Sequence, residues 1–200
     1  MQQLLTIFTS TMIITIGRQL AAGGRAVGKM LAERLSLRYY DSALLALAAK
    51  ESGLSEEAFS AADEQYNIFT LALSSDNQRL FRIQSDVIGK VAADGDCVFV
   101  GRAADYVLRQ RQDVLSVFLT ADTGDRIDRL MKDRQITEKE ALTLIEKADR
   151  RRADYYNFYT GKEWGRACSY HLCINTSQIP IESAVELICQ AIIKKETEKH

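Results

Sequence analysis

Between Met12 and Leu31 the sequence MIITIGRQLAAGGRAVGKML spells a strand, a glycine loop and a helix. A short apolar run (Met12, Ile13, Ile14, Ile16) stops at Gly17, and after a stretch of small residues Val27, Met30, Leu31 and Leu35 recur at helical spacing. Such a loop suits a phosphate. Small side chains let backbone N–H groups close around an anion, while the helix N-terminus turns its unpaired donors and positive dipole end toward it. Gly17, Gly23 and Gly24 are the candidate phosphate cradle.

The usual phosphate-loop pattern, G-x-x-x-x-G-K-[ST], places a lysine on the β/γ-phosphates and a hydroxyl on Mg²⁺. Anchored on Gly23, the lysine position here holds Gly24, followed by Arg25 and Ala26, and Gly17 lies one residue too far from Gly23. Arg18 and Arg25 are the nearby cations, and either supplies a lysine's charge without its compact geometry. On these residues alone, a strand-turn-helix with no ligand remains open.

A chain of 200 residues suits one domain with a substantial core. With 26 basic and 27 acidic residues the net charge is −1, so no nucleic-acid partner is expected and any anion site is local. Cys97, Cys168, Cys173 and Cys189 form no C-x-x-C pair and only His171 and His200 accompany them, so no zinc cage is expected and no metal ligand is assigned. They read as reduced thiols of a cytoplasmic protein. The patch Leu4, Leu5, Ile7, Phe8 lacks a basic leader and is broken by Thr6, Thr9, Ser10 and Thr11. Residues 1–11 therefore read as an extension, and no segment approaches membrane-spanning length.

Further along, Leu37–Tyr40 reads as a second strand ending at Asp41-Ser42. That is where α/β folds bind ligands, although either side chain also suits the cap of a helix over Ala43–Ser52. Ser55-Glu56-Glu57 starts another short helix, and 63–77 reads as a mobile connection with one apolar anchor. Arg79–Ala93 is an amphipathic helix. Cys97–Val100 is a buried strand that stops at Gly101-Arg102, where an arginine is well placed to read a phosphate. Val114–Leu119 is the next strand, followed by a helix start at Asp122-Thr123.

The segment from Asp122 to Asp154 is rich in charge. Arg126, Arg129, Lys132 and Arg134 share one helix, and Thr137 with Glu140 forms a capping box for a second that carries Asp149, Arg150, Arg151 and Arg152. Such a run is ordinarily a solvated face, but a hairpin of the two helices lets some arginines converge on a ligand. Tyr155, Tyr156, Phe158, Tyr159 and Trp164 invite base stacking but read first as a hydrophobic hinge or a subunit contact, which leaves a homo-oligomer open. His171 reads as structural, before a strand over Leu172–Ile174 that Asn175-Thr176-Ser177 ends. Pro180 opens the last helix, Ile181–Lys194, and residues 195–200 form a polar tail. Four or five short strands separated by helical patterns predict a single α/β domain over 12–194, a parallel sheet with helices on both faces.

The order GRQLAAGGRAVGKMLAERL, YYDSALL, CVFVGRAADYVL, VFLTADTGDRIDRL, DRRR and INTS resembles the cytidylate kinases, most closely the divergent cytidylate kinase-like bacterial family with its GGR loop. The resemblance implies a three-layer P-loop fold with a helical lid over about 126–165, and phosphoryl transfer from ATP with Mg²⁺ to CMP or dCMP. It assigns the donor phosphates to Gly17, Arg18, Gly23, Gly24 and Arg25, and the acceptor to Asp41, Ser42, Arg102, Asp149 and Arg152. Arg126 and Arg129 match lid arginines, and Asn175, Thr176 and Ser177 would lie near the donor base. The catalytic set it implies is Arg25, Arg102, Arg129 and Arg152. The chain departs from true cytidylate kinases in the missing loop lysine and hydroxyl, in Ala103 where the GRD aspartate would stand, and in Leu47 where an acceptor-side arginine would be expected. A nucleotide-binding regulatory protein without catalysis is the alternative.

Overall fold

The computed structural model describes residues 11–41 and 75–197. The expected helices after Asp41, residues 63–74 of the expected connection, and Ser42 lie outside these residues. Five strands, β1 (Ile13–Arg18), β2 (Arg38–Tyr40), β3 (Cys97–Val100), β4 (Val114–Thr120) and β5 (Leu172–Asn175), form one parallel sheet in the order β2-β3-β1-β4-β5. The apolar runs in β1, β3 and β4 follow from burial on both faces, as parallel sheets require. On one face, α1 (Gly24–Leu35) and α6 (Ile181–Thr197) pack through Val27, Leu31, Val185 and Ile188 onto Ile14, Ile16, Val98 and Val117. On the other, α2 (Ser75–Ala93) and the short α3 (Ala104–Val107) cover Ile13, Phe99 and Val114 with Val87, Ile88 and Ala104.

Strands β4 and β5 each run one residue past the sequence reading, to Thr120 and Asn175, and β1 and β2 differ from it for clear reasons. Gly17 and Arg18 pair with Phe118 and Leu119, so β1 runs past Gly17 and the loop proper begins at Gln19. At the end of α1, Ser36 adopts a left-handed conformation (φ 55°) and the Leu37 N–H donates to Ala32 O at 2.8 Å, which takes Leu37 out of the ladder. Helix α2 starts at Ser75, so residues 75–77 of the expected connection are helical. Helix α3 and a 3₁₀ turn over Ala167–Ser169 were absent from the sequence reading.

Helices α4 (Thr123–Arg134) and α5 (Glu138–Thr160) form a hairpin. The capping box is present: Thr137 N–H donates to Glu140 Oε2 at 2.8 Å, and Glu140 N–H donates to Thr137 Oγ1 at 3.3 Å. Leu130, Ala141 and Ile145 bury one another and pack against Leu20 and Ala21, which seats the hairpin on the loop after β1. No helix among the described residues is long and apolar enough to cross a membrane.

Helix α1 is held close to the sheet at Gly28, where an added Cβ would stand 2.8 Å from Val100 Cγ2 and 3.0 Å from Tyr39 Cε2. Helix propensity favours alanine there by about 1 kcal/mol. Overpacking against a buried strand methyl costs about 1–3 kcal/mol and outweighs it. Gly28→Ala is therefore expected to lower the urea midpoint, and a midpoint at or above the parent's would show that the helix lifts freely.

Candidate active site

The loop after β1 sits at the carboxyl end of the sheet, where the connections from the adjacent strands β1 and β3 leave toward opposite edges. Its backbone is fixed by a brace. Arg126 Nε donates to Leu20 O at 2.8 Å, Arg129 Nη1 to Ala21 O at 3.1 Å, and Thr176 Oγ1 to Ala22 O at 3.2 Å. A trans peptide points its N–H opposite to its carbonyl, so these contacts turn the Ala21 and Gly23 N–H groups away from the brace. Gly23 is the N-cap of α1 with no side-chain cap, so the first-turn donors of the helix lack a side-chain acceptor from their own cap. Its φ of 81° suits glycine, and a Cβ there would meet Ile181 Cδ1 at 2.2 Å.

Asp149 ties helix α5 to the same loop. Its Oδ1 accepts the Leu20 N–H at 2.7 Å and Arg152 Nη1 at 3.2 Å, and its Oδ2 pairs with Arg126 Nη2. Arg126 is only 3% exposed. Arg129 completes its set with Thr176 Oγ1 at 3.0 Å and Thr176 O at 2.8 Å. Arg126 and Arg129, which the resemblance matches to lid arginines, and Asp149, which it assigns to the acceptor, thus hydrogen-bond to the loop, to Thr176 and to each other. Asn175 and Ser177 close a second network. Asn175 Nδ2 donates to Asp122 Oδ1 at 2.9 Å, and Ser177 Oγ accepts the Asp122 N–H at 2.8 Å. Thr176 is buried.

Arg18, Arg25, Arg102 and Arg152 come together. With Gly17, Arg151 and Gly101 they line a cavity of about 280 Å³, which Tyr155, Tyr156, Trp164, Tyr170 and Asp105 line as well. The strand end, the first turn of α1, the β3–α3 loop and α5 each supply a guanidinium. Arg18 is built in by two glycines. A Cβ on Gly24 would stand 2.6 Å from Arg18 Cγ, and one on Gly101 only 2.1 Å from Arg18 Nη1. Burial first, then the Arg152, Arg102 and Arg25 charges, push the Arg18 guanidinium down to about 9. Arg152 is lowered as well, mainly by burial, against the raising effect of Asp149. Positive charge gathered this densely is a receptor for an anion.

The β3–α3 loop carries backbone strain at this cavity. Gly101, Arg102 and Ala103 have successive φ values of 86°, 60° and 51°. Left-handed non-glycine residues are costly and cluster where function needs them. Asp41 accepts a loose contact from Arg25 Nε at 3.8 Å and a Tyr39 hydroxyl hydrogen bond at 3.5 Å. Gly23 and Gly24 sit beside the cavity and do not line it.

The aromatic segment divides between the cavity and the surface. Tyr155, Tyr156 and Trp164 wall the cavity, with Trp164 edge-on to Phe118 at 5.3 Å, while Phe158 is exposed. His171 Nδ1 accepts the Ser116 N–H at 2.9 Å, and burial with the Lys195 charge lowers its pKa, as suits a neutral structural imidazole. All four thiols are free, with Cys97 and Cys189 buried and Cys168 and Cys173 exposed. A larger cleft of about 730 Å³ lies by the start of β4, but Arg111 pairs with Asp113 and Lys195 Nζ donates to Val114 O there. The arginine cavity is therefore the candidate site.

A cytidylate kinase of Methanocaldococcus jannaschii is 27% identical over 185 residues, covering 90% of this chain and 97% of that protein. A solved structure of a protein from Eubacterium ventriosum superposes with a TM-score of 0.74 at 28% identity, over 90% of this chain and 98% of that one. Shikimate kinase from Bacteroides thetaiotaomicron (TM-score 0.57, 16% identity, 92% and 99% covered) shares the fold. So does a gluconokinase from Sinorhizobium meliloti (0.55, 13%, 94% and 95%). The fold is that of the P-loop kinases, three layers around a parallel sheet. The family profile described as cytidylate kinase-like matches residues 13–178, and the chain belongs to that family.

Proposed function

We propose that this protein transfers the γ-phosphoryl group of ATP to a nucleoside monophosphate, CMP or dCMP. Family and fold support a nucleotide or small-molecule kinase. The observation that carries the finer reading is the cavity itself, lined by five guanidiniums together with Tyr155, Tyr156, Trp164 and Tyr170. That combination suits a phosphorylated aromatic base. The acceptor phosphate oxygen attacks the γ-phosphorus in line, a P–O bond forms as the bond to the β,γ-bridging oxygen breaks, and ADP leaves. Arg102 and Arg152 hold the acceptor phosphate. Arg18 and Arg25 neutralise the transferred group, the role that the resemblance divided between Arg25 and Arg129, because Arg129 is bound to Ala21 and Thr176. Positioning and charge neutralisation supply most of the rate in such reactions.

Mg²⁺ ordinarily takes a hydroxyl or carboxylate beside the phosphate loop. Arg25 and Ala26 stand where the hydroxyl would be; Asp105, the sole carboxylate among the described cavity-lining residues, is held by Tyr156, and Asp41 faces Arg25 and the Tyr39 hydroxyl. These residues do not fit a protein-held Mg²⁺, and no step is assigned to one.

Purified protein with ATP, Mg²⁺ and CMP or dCMP is expected to release ADP in a coupled assay; absence of turnover with CMP, dCMP, UMP and AMP alike removes the kinase. The missing lysine and hydroxyl favour a second reading, a nucleotide-binding regulator, which would bind CMP or ATP in a calorimeter without turning either over.

A further inference from the structure

Resting on that kinase reading, we propose that Asp105 selects the acceptor base by accepting a hydrogen bond from its exocyclic amino group, so that cytosine is taken and uracil refused. Five arginines line the cavity with this one carboxylate, among the described residues. Asp105 nevertheless forms no ion pair with any of them. Its Oδ2 accepts the Tyr156 hydroxyl at 2.7 Å. Tyr156 and Tyr170 lie beside it, it shares the lining of the cavity with Tyr155 and Trp164, and it also borders the larger cleft by β4. A flat base against these rings would bring the edge of its ring toward a carboxylate, while its phosphate reaches the guanidiniums.

The chemistry of that edge decides the selection. Cytosine presents an amino donor at C4, which an acceptor-only carboxylate satisfies; uracil presents a carbonyl oxygen there, which leaves two acceptors facing each other in a dry site. Buried polar groups left unpaired discriminate strongly, and a hydrogen bond to a charged group contributes about 1.5–3 kcal/mol, or roughly 10- to 150-fold in affinity. Tyr156 is the positioning residue, because its hydroxyl fixes one carboxylate oxygen.

Burial raises the Asp105 pKa against the lowering effect of Tyr156 and the backbone N–H groups. A raised folded pKa means that stability is full below the unfolded value and drains as pH climbs through the folded one. Asp105→Asn keeps an oxygen for Tyr156 and removes that loss, so it folds at least as well as the parent at neutral pH.

The test compares parent and Asp105→Asn with CMP and UMP, by kcat/KM and by calorimetric affinity. The parent is expected to favour CMP over UMP by about 10²-fold, and the variant to lose roughly that factor, because its amide can donate to uracil O4. Tyr156→Phe is expected to lower the CMP/UMP ratio while the KM for ATP stays put. Equal changes for CMP and UMP in Asp105→Asn, or a parent that binds both alike, overturn the selection and leave the kinase standing. Calorimetry that detects no monophosphate at all overturns both.

Discussion

Arg18→Met is expected to cut phosphoryl transfer by about 10³-fold or more while the unliganded protein unfolds at the same temperature or higher. The two halves of this result have one cause. Arg18 stands within the field of Arg152, Arg102 and Arg25, and burial has already weakened its hold on its own proton. Without an anion, that charge is a cost, so deleting it relieves repulsion. Methionine retains the stem that packs over Gly24. With nucleotide in place the balance reverses, because a single placed arginine contributes roughly 10³- to 10⁵-fold in phosphoryl transfer. Steady-state ADP release and a thermal melt with and without ATP measure both halves. The ligand-induced rise in melting temperature should shrink in the variant, since stabilisation follows affinity. An active Arg18→Met enzyme would show that the loop lysine has been replaced elsewhere.

Asp149→Ala is expected to destabilise the fold by about 3–5 kcal/mol, the cost of leaving a buried charge without its partner. Arg126 is enclosed, and its Nη2 would lose its carboxylate. The Leu20 N–H and Arg152 Nη1 lose their acceptor in the same step. Urea denaturation measures the loss. Adding Arg126→Met to Asp149→Ala is expected to recover a large part of it, because the stranded cation is gone and an apolar chain fills the space. If the double variant is as unstable as the single, the cost comes from the Leu20 N–H and not from the buried guanidinium.

Strand, loop and helix at the start of the chain were legible because apolar periodicity and glycine placement are local properties. The capping box at Thr137 and the arginine after β3 were legible for the same reason. The reach of β1 was not, because Gly17 belongs to the strand only through a neighbour, β4, that is seven residues long and pairs it with Phe118. Gly101 could be read as a strand stop but not as the space into which Arg18 extends from over 80 positions earlier in the chain. Of the arginines and acids in 122–154, which ones brace and which ones face a ligand depends on the hairpin's rotation against the loop, a tertiary quantity. Asp105 escaped notice entirely. It sits in the first turn of a four-residue helix, and the tyrosine that marks its importance is 51 residues away.

Three consecutive peptide units of the loop after β1 are fastened to side chains from α4 and from the β5–α6 turn, and a fourth link reaches α5. A hinged flap that swings over a rigid floor is therefore a poor picture of this enzyme's working cycle. Flap and floor are riveted together, and displacing the hairpin deforms these peptides; under the proposed function, admission of one substrate and the grip on the other would become a single mechanical event.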